Sequence, residues 1–152
     1  MKFLILIISL VILTACSSDK PQLPTTQIMN QYIQKFNQDL IAVGKPPINS
    51  SLIIVVYDES LTNYANVSPN LLNPTSHVTV KIGPSFLTVP PHTQLVITYH
   101  ELGHGFYGSP AGHRGPVHRL MTSNDLKFEF SQAEIENDTS RQALVLDMVN
   151  NP

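Results

Sequence analysis

The sequence predicts a small α+β domain, because segments with helical periodicity alternate with short β-branched runs along the chain. Its 152 residues leave room for one ordinary domain, and a single cysteine cannot form an intrachain disulfide. The 12 prolines argue against a simple helical bundle. A formal net charge of -2, without a long basic run, argues against nucleic acid as a partner.

The first fifteen residues have the features of a secretory signal peptide. Lys2 precedes an apolar stretch over residues 3–13, which is too short to span a bilayer and ends in small residues before Cys16. Residues 13–16, with the sequence LTAC, resemble the bacterial lipobox, in which the signal is removed before the cysteine and the cysteine takes a lipid. The resemblance implies a bacterial envelope protein held at a membrane through Cys16, and Ser17 after the cysteine favours the outer membrane.

Three segments follow from this interpretation. The signal peptide is expected over residues 1–15, a lipidated tether over residues 16–24, and a single folded domain over residues 25–152. The tether is polar, contains two prolines and has no apolar periodicity. Its composition therefore predicts a short link between the lipid and the domain.

The first half of the domain predicts one helix and two strands. Thr25 and Thr26 offer an N-cap for a helix whose apolar residues recur every four positions until the Gly and Pro residues at 44–47. Residues 52–57 form a β-branched run that predicts a strand buried on both faces, and residues 58–76 are expected to be a polar loop. Residues 77–82 alternate and predict a second strand near a sheet edge, with His77 on its surface.

The second half predicts two further helical segments. Apolar residues at helical spacing follow Pro90 and Pro91 and predict a helix over residues 93–106. Ser131 and Glu134 match a capping box, which predicts the start of a last helical segment. The polar stretch over residues 137–140 is a possible break in that segment.

The helix predicted over residues 93–106 contains a pattern typical of a zinc site. His100 and His104 are four residues apart, so that both imidazoles lie on one helical face and can converge on one metal ion. Glu101, next to them, is placed to act as the general base for a zinc-bound water. Because a catalytic zinc ion usually has three protein ligands, the pattern also predicts a third ligand nearby.

His113 is the first choice for the third ligand, because Gly and Pro residues end the helix and allow a loop to turn back over it. His118 is the main alternative, and Asp125 or Glu134 would serve if an acidic residue completed the site. Met121 follows His113 by eight residues.

Residues 95–125 resemble the metzincin clan of zinc metallopeptidases, whose motif is HExxHxxGxxH followed by a methionine in a tight turn. The resemblance implies that His100, His104 and His113 are the zinc ligands, that Glu101 is the general base and that Met121 is the Met-turn residue. His113 lies nine positions after His104, where the strict motif has six. The implied fold is a minimal αβα sandwich with a short twisted sheet, an active-site helix and a C-terminal helix.

The motif predicts hydrolysis of peptide bonds in a peptide or protein by a lipid-anchored endopeptidase with one zinc ion. The strand over residues 77–82 is a candidate edge for pairing with an extended substrate. Two other hypotheses remain open at this stage. The protein could bind zinc without catalysis, or it could be a surface-interaction lipoprotein in which the motif is incidental. The sequence does not determine the oligomeric state.

Overall fold

The computed structural model describes residues 22–68, 77–107, 119–122 and 130–150. Two short 3-10 segments lie at Ser50–Leu52 and Pro84–Thr88. The helices are α1 (Gln22–Ala42), α2 (Pro91–Tyr107), α3 (Arg119–Thr122), α4 (Gln132–Glu136) and α5 (Asp138–Asn150), and the strands are β1 (Ile53–Tyr57), β2 (Ala65–Ser68) and β3 (Val78–Ile82). This content of helices and strands confirms the α+β class.

The three strands form a mixed sheet in the order β1-β3-β2. β3 pairs in parallel with β1 and antiparallel with β2. The prediction that the strand over residues 77–82 lies near an edge is therefore wrong. Val78, Val80 and Ile82 are buried against the helices, whereas Thr79 and Lys81 point to the other face, and this alternation does not reveal that β3 has a neighbour on each side.

The other two strands also differ from the predictions. β2 lies within residues 58–76, which were expected to be a loop, and its Ala65 and Val67 are buried while the residues between and after them are exposed. β1 lies at the opposite edge and is not buried on both faces, since the side chains of Ile54 and Val56 are 45% and 38% exposed. The apolar run predicted the strand correctly but overstated its burial.

α1 and α2 pack on one face of this sheet, and the other described helices pack against these two. At Gly105 of α2, an added Cβ would lie 2.8 Å from Val78 Cγ1 and 3.2 Å from Val67 Cγ2, so the helix backbone approaches the sheet closely. The other face carries exposed or half-buried side chains on all three strands. The part of the chain that is described is thus a two-layer arrangement, and the third layer of the expected sandwich is not seen in it.

α1 begins at Gln22, within the predicted tether. After its end, Gly44 has a φ of +75°, a left-handed conformation that favours glycine. The helix packs its apolar side against α2, where the rings of Phe36 and Tyr99 meet edge to face with centroids 4.8 Å apart. Of the periodic residues that predicted α1, Phe36 and Leu40 are fully buried, and Met29 and Ile33, outside that pattern, are buried beside them.

A buried polar cluster joins α1, α2 and α5. The Arg141 guanidinium donates to both carboxylate oxygens of Asp39, at 2.6 and 2.9 Å, and the Tyr99 hydroxyl donates to the same carboxylate at 2.6 Å. Arg141 also donates to the Ile135 carbonyl and to Asp138. Burial and the neighbouring Asp39 carboxylate raise the pKa of Tyr99 well above its usual range. All three side chains are almost fully buried, so the cluster fixes how these helices lie together.

The C-terminal segment divides where the sequence suggested. Ser131 caps α4 by accepting a hydrogen bond from the Glu134 N–H, and Asn137 separates α4 from α5. Asn137 then caps α5 through the Ser140 N–H. None of the helices described in the structure is both long enough and apolar enough to cross a bilayer.

Candidate metal centre

The two histidines of the motif lie in the C-terminal half of α2. Pro91 occupies the first position of this helix, as its fixed φ favours, and the helix continues to Tyr107. The prediction of a helix over residues 93–106 is therefore confirmed. Most of α2 is buried, and at Gly105 it lies directly against the sheet.

The imidazoles of His100 and His104 converge as the spacing predicts. Their Nε2 atoms are 3.0 Å apart and their ring centroids are 4.5 Å apart, with the rings nearly perpendicular. His100 is buried, whereas His104 is half-buried. The two Nε2 atoms therefore face one point at the boundary of the core.

The backbone of α3 fixes the orientation of His100. The Nδ1 atom of His100 lies 2.6 Å from the Leu120 carbonyl oxygen, and a carbonyl can only accept a hydrogen bond. Nδ1 must therefore carry the proton, and in the neutral ring Nε2 is left with the lone pair that can bind a metal. Histidine ligands in metal sites commonly donate their second N–H to a carbonyl in this way.

Glu101 is buried beside the histidine pair. Its carboxylate accepts a hydrogen bond from the backbone N–H of Val67 in β2. Burial raises the pKa of Glu101 to about 7, while the hydrogen bond from Val67 opposes this change. A carboxyl group with a pKa near neutrality can both accept and release a proton at physiological pH.

Met121 packs directly under the histidine segment of α2. It lies in α3, and its Sδ atom is 2.7 Å from the position that a Cβ on Gly103 would occupy. The Sδ atom of Met148, in α5, lies at the same distance from that position. Met121 thus packs against the segment of α2 that carries the histidines, and it does so from a short helix. Its role as a Met-turn residue stays a prediction.

Several predicted site residues fall outside the described ranges. Both candidates for the third histidine, His113 and His118, belong to this group, as do Asp125 and Cys16. Glu134 is described and lies in the first turn of α4. Within the described ranges, no three His, Cys, Asp or Glu side chains form a group that could hold a metal ion.

The site includes groups that the sequence did not indicate. Neither the Leu120 carbonyl nor the Val67 N–H is visible in a sequence pattern, because backbone groups carry no residue signature. Gly103 did offer a signal, since a glycine inside a helix costs about 1 kcal/mol relative to alanine and often marks a close contact. Met148 lies in α5 and belongs to no motif in the sequence.

Comparison with known proteins identifies no relative of this chain. No protein-family model matches the chain, and searches of curated proteins and of solved structures give no match. The metzincin resemblance therefore depends on the motif alone.

Proposed function

We propose that this protein is a zinc-dependent endopeptidase held at the bacterial cell envelope by a lipid on Cys16. The observation that carries the proposal is the His100–His104 pair, whose Nε2 atoms converge beside a buried Glu101. The Leu120 carbonyl supports it further, because it selects the tautomer of His100 that can bind a metal.

The residues present fit a zinc ion. Two nitrogen ligands at tetrahedral angles on zinc lie about 3.3 Å apart, given Zn–N distances of about 2.0–2.1 Å. The observed separation of 3.0 Å between the two Nε2 atoms needs only a small opening of the pair. His100 and His104 would hold the ion together with a third ligand, for which we propose His113 first and His118 second.

The chemistry follows from the position of Glu101. When bound, the zinc ion would supply Lewis acidity that polarises a substrate carbonyl and lowers the pKa of a water molecule. Glu101 would accept the proton of the attacking water and deliver it to the leaving amine. The hydrogen bond from Val67 holds its carboxylate beside the edge of the sheet.

The edge that we propose for substrate binding differs from the one predicted, because in the described sheet β3 is central and β2 is at the edge. Tyr64 accepts a hydrogen bond from the Gly83 N–H, and bonded positions alternate in an antiparallel pair. The N–H of Val67 therefore points away from β3 and towards Glu101. An extended peptide beside β2 would lie next to the general base.

Metal content tests the site. The full chain, purified in detergent, and its His104→Ala, His113→Ala and His118→Ala variants are analysed by plasma mass spectrometry. His77→Ala is the matched control, because His77 is exposed at the start of β3. We expect about one zinc ion per wild-type chain, as the motif requires. Zinc is retained in the control and lost in His104→Ala and in one of the other two variants.

Other outcomes assign the site differently. Zinc retained in both the His113 and the His118 variants would point to Asp125 or Glu134 as the third ligand. A chain that binds no zinc after reconstitution would contradict the proposal and favour a surface-interaction lipoprotein.

Glu101→Gln separates catalysis from metal binding. The amide keeps the size of the side chain but cannot take a proton, so we expect cleavage of a peptide library to fall by about 100-fold to 10,000-fold. Zinc content should stay the same, because Glu101 is not a ligand. A wild-type protein that binds zinc but cleaves no peptide would support the non-catalytic alternative.

A further inference from the structure

We propose that Met148, on the C-terminal helix α5, is a positioning residue for the His100–His104 pair. The inference rests on the proposed function, because it concerns the geometry of the same two histidines. Met148 is 48 positions from His100 in the sequence and belongs to no motif. The contacts of Gly103 and α3 carry the argument.

Two methionine sulfur atoms meet α2 at a single point. The Sδ atoms of Met121 and Met148 each lie 2.7 Å from the position of a Cβ on Gly103, so the two sulfur atoms are separated by at most twice that distance. Gly103 is adjacent to His104 and one turn after His100. Met148 therefore supports the segment of the helix that carries the histidines.

Met148 also determines where α3 lies. α3 has four residues, too few for its own hydrogen bonds to make it stable, so its position depends on packing. Leu120, Met121 and Met148 are 2%, 5% and 1% exposed, and α3 packs against α5. The flexible and polarisable methionine side chain suits this contact between three helices.

The position of α3 in turn orients His100. The Leu120 carbonyl, one residue before Met121, holds the proton on Nδ1 at 2.6 Å. Removal of the Met148 side chain opens a gap beside Met121, and α3 relaxes away from α2. The hydrogen bond to His100 then lengthens, and its ring loses the preference for one tautomer and one orientation.

The test compares Met148→Ala with Met148→Leu in the full chain in detergent micelles. Val145→Ala is the matched control, because Val145 is fully buried on the same helix but contributes none of the three atoms nearest to the Cβ position of Gly103. The first measurement is a long-range proton–nitrogen NMR correlation of the metal-free protein at mildly alkaline pH, where imidazoles are neutral. It reports which nitrogen atom of His100 carries the proton. The second is zinc affinity by competition with a chromogenic chelator.

We expect the wild-type spectrum to show His100 with its proton on Nδ1. In Met148→Ala the spectrum should show a mixture of tautomers, and zinc affinity should fall by about 10-fold to 100-fold, as for other changes around metal ligands. Met148→Leu, which conserves the volume, should restore both. Val145→Ala should lower the melting temperature but leave the tautomer and the zinc affinity unchanged.

The inference is overturned if Met148→Ala keeps the wild-type tautomer, or if Val145→Ala changes it to the same extent. If the alanine variant does not fold, Met148→Val takes its place, since it also leaves a gap beside Met121 but keeps part of the volume. A wild-type chain that binds no zinc would contradict the proposed function. The NMR measurement needs no metal, so it would still decide the role of Met148.

Discussion

At the scale of single residues, Gly103 and Gly105, on either side of His104, determine how closely other side chains pack against α2. Gly103 faces the ends of two methionine side chains, whereas Gly105 faces two valines of the sheet. A methionine has three rotatable bonds and can move its sulfur atom, but a β-branched valine in a strand is stiff. The two positions should therefore tolerate a methyl group differently.

Gly103→Ala and Gly105→Ala make a matched pair. Each substitution gains about 1 kcal/mol in helix propensity, so any difference between them comes from packing. Because overpacking in a stiff core costs about 1–3 kcal/mol, we expect Gly105→Ala to lower the free energy of unfolding and Gly103→Ala to change it little. Chemical denaturation measures both values. Equal losses would show that the methionines are as rigid as the valines.

The sequence predicted that His100 and His104 converge, but it could not indicate the backbone groups that contact His100 and Glu101, nor Met148. The spacing of His100 and His104 is a local property of one helix, so it determines their common face, and Glu101 lies beside it. The Leu120 carbonyl reaches His100 from a separate helix. No local pattern records a contact of that kind.

At the scale of elements, periodicity predicted which face of a strand is buried but not which strands are neighbours. β3 alternates as an edge strand would, yet it is central because it pairs with both β1 and β2. Its alternation arises because Thr79 and Lys81 lie on a face that the described helices do not cover. β2 has only four residues, so its alternation was too short to distinguish from a loop.

The sheet predicts opposite results for the same substitution on two strands. Val80 is fully buried in β3 and Val56 is 38% exposed in β1. Val→Thr preserves the shape but adds a hydroxyl group. At position 80 that hydroxyl would be buried, at a cost of about 1–3 kcal/mol. At position 56 it can reach water, and we expect a change within about 0.5 kcal/mol.

Thermal or urea unfolding of Val80→Thr and Val56→Thr provides the measurement. A large loss at position 56 would mean that the outer face of β1 is covered in solution.

At the scale of the whole molecule, the buried Asp39–Arg141 pair links the first helix to the last. Asp39→Asn keeps the shape but leaves the Arg141 charge without its main partner. Breaking a buried pair in this way costs about 3–5 kcal/mol. We expect a loss of this size in urea unfolding, and the double variant Asp39→Leu with Arg141→Met should recover part of it.

Lys35→Ala is the control for this prediction, because Lys35 pairs with Asp138 on the surface. We expect no measurable change, since water screens such pairs. If Lys35→Ala lowered the free energy of unfolding as much as Asp39→Asn, a surface charge pair would stabilise the protein as much as the buried pair.

The α+β class was predictable, and so was the division of the last helix at Asn137, because both depend on local patterns and caps. The pairing of Asp39 with Arg141 was not, since 102 positions separate the two residues in the sequence. In the sequence, each of the two resembles a charged residue on the solvent-exposed face of a helix. Only the packing of the helices shows that both are buried.

If Cys16 carries the proposed lipid, the start of α1 at Gln22 limits how far the domain can lie from the membrane. Only residues 17–21 separate Cys16 from that helix, and an extended chain covers at most about 3.5 Å per residue. A lipid on Cys16 would thus hold the first turn of α1 within about 20 Å of the bilayer. The anchored protein would diffuse laterally within a thin layer at the membrane surface. Its rate of encounter with a substrate would depend on the number of protein molecules per unit area of membrane.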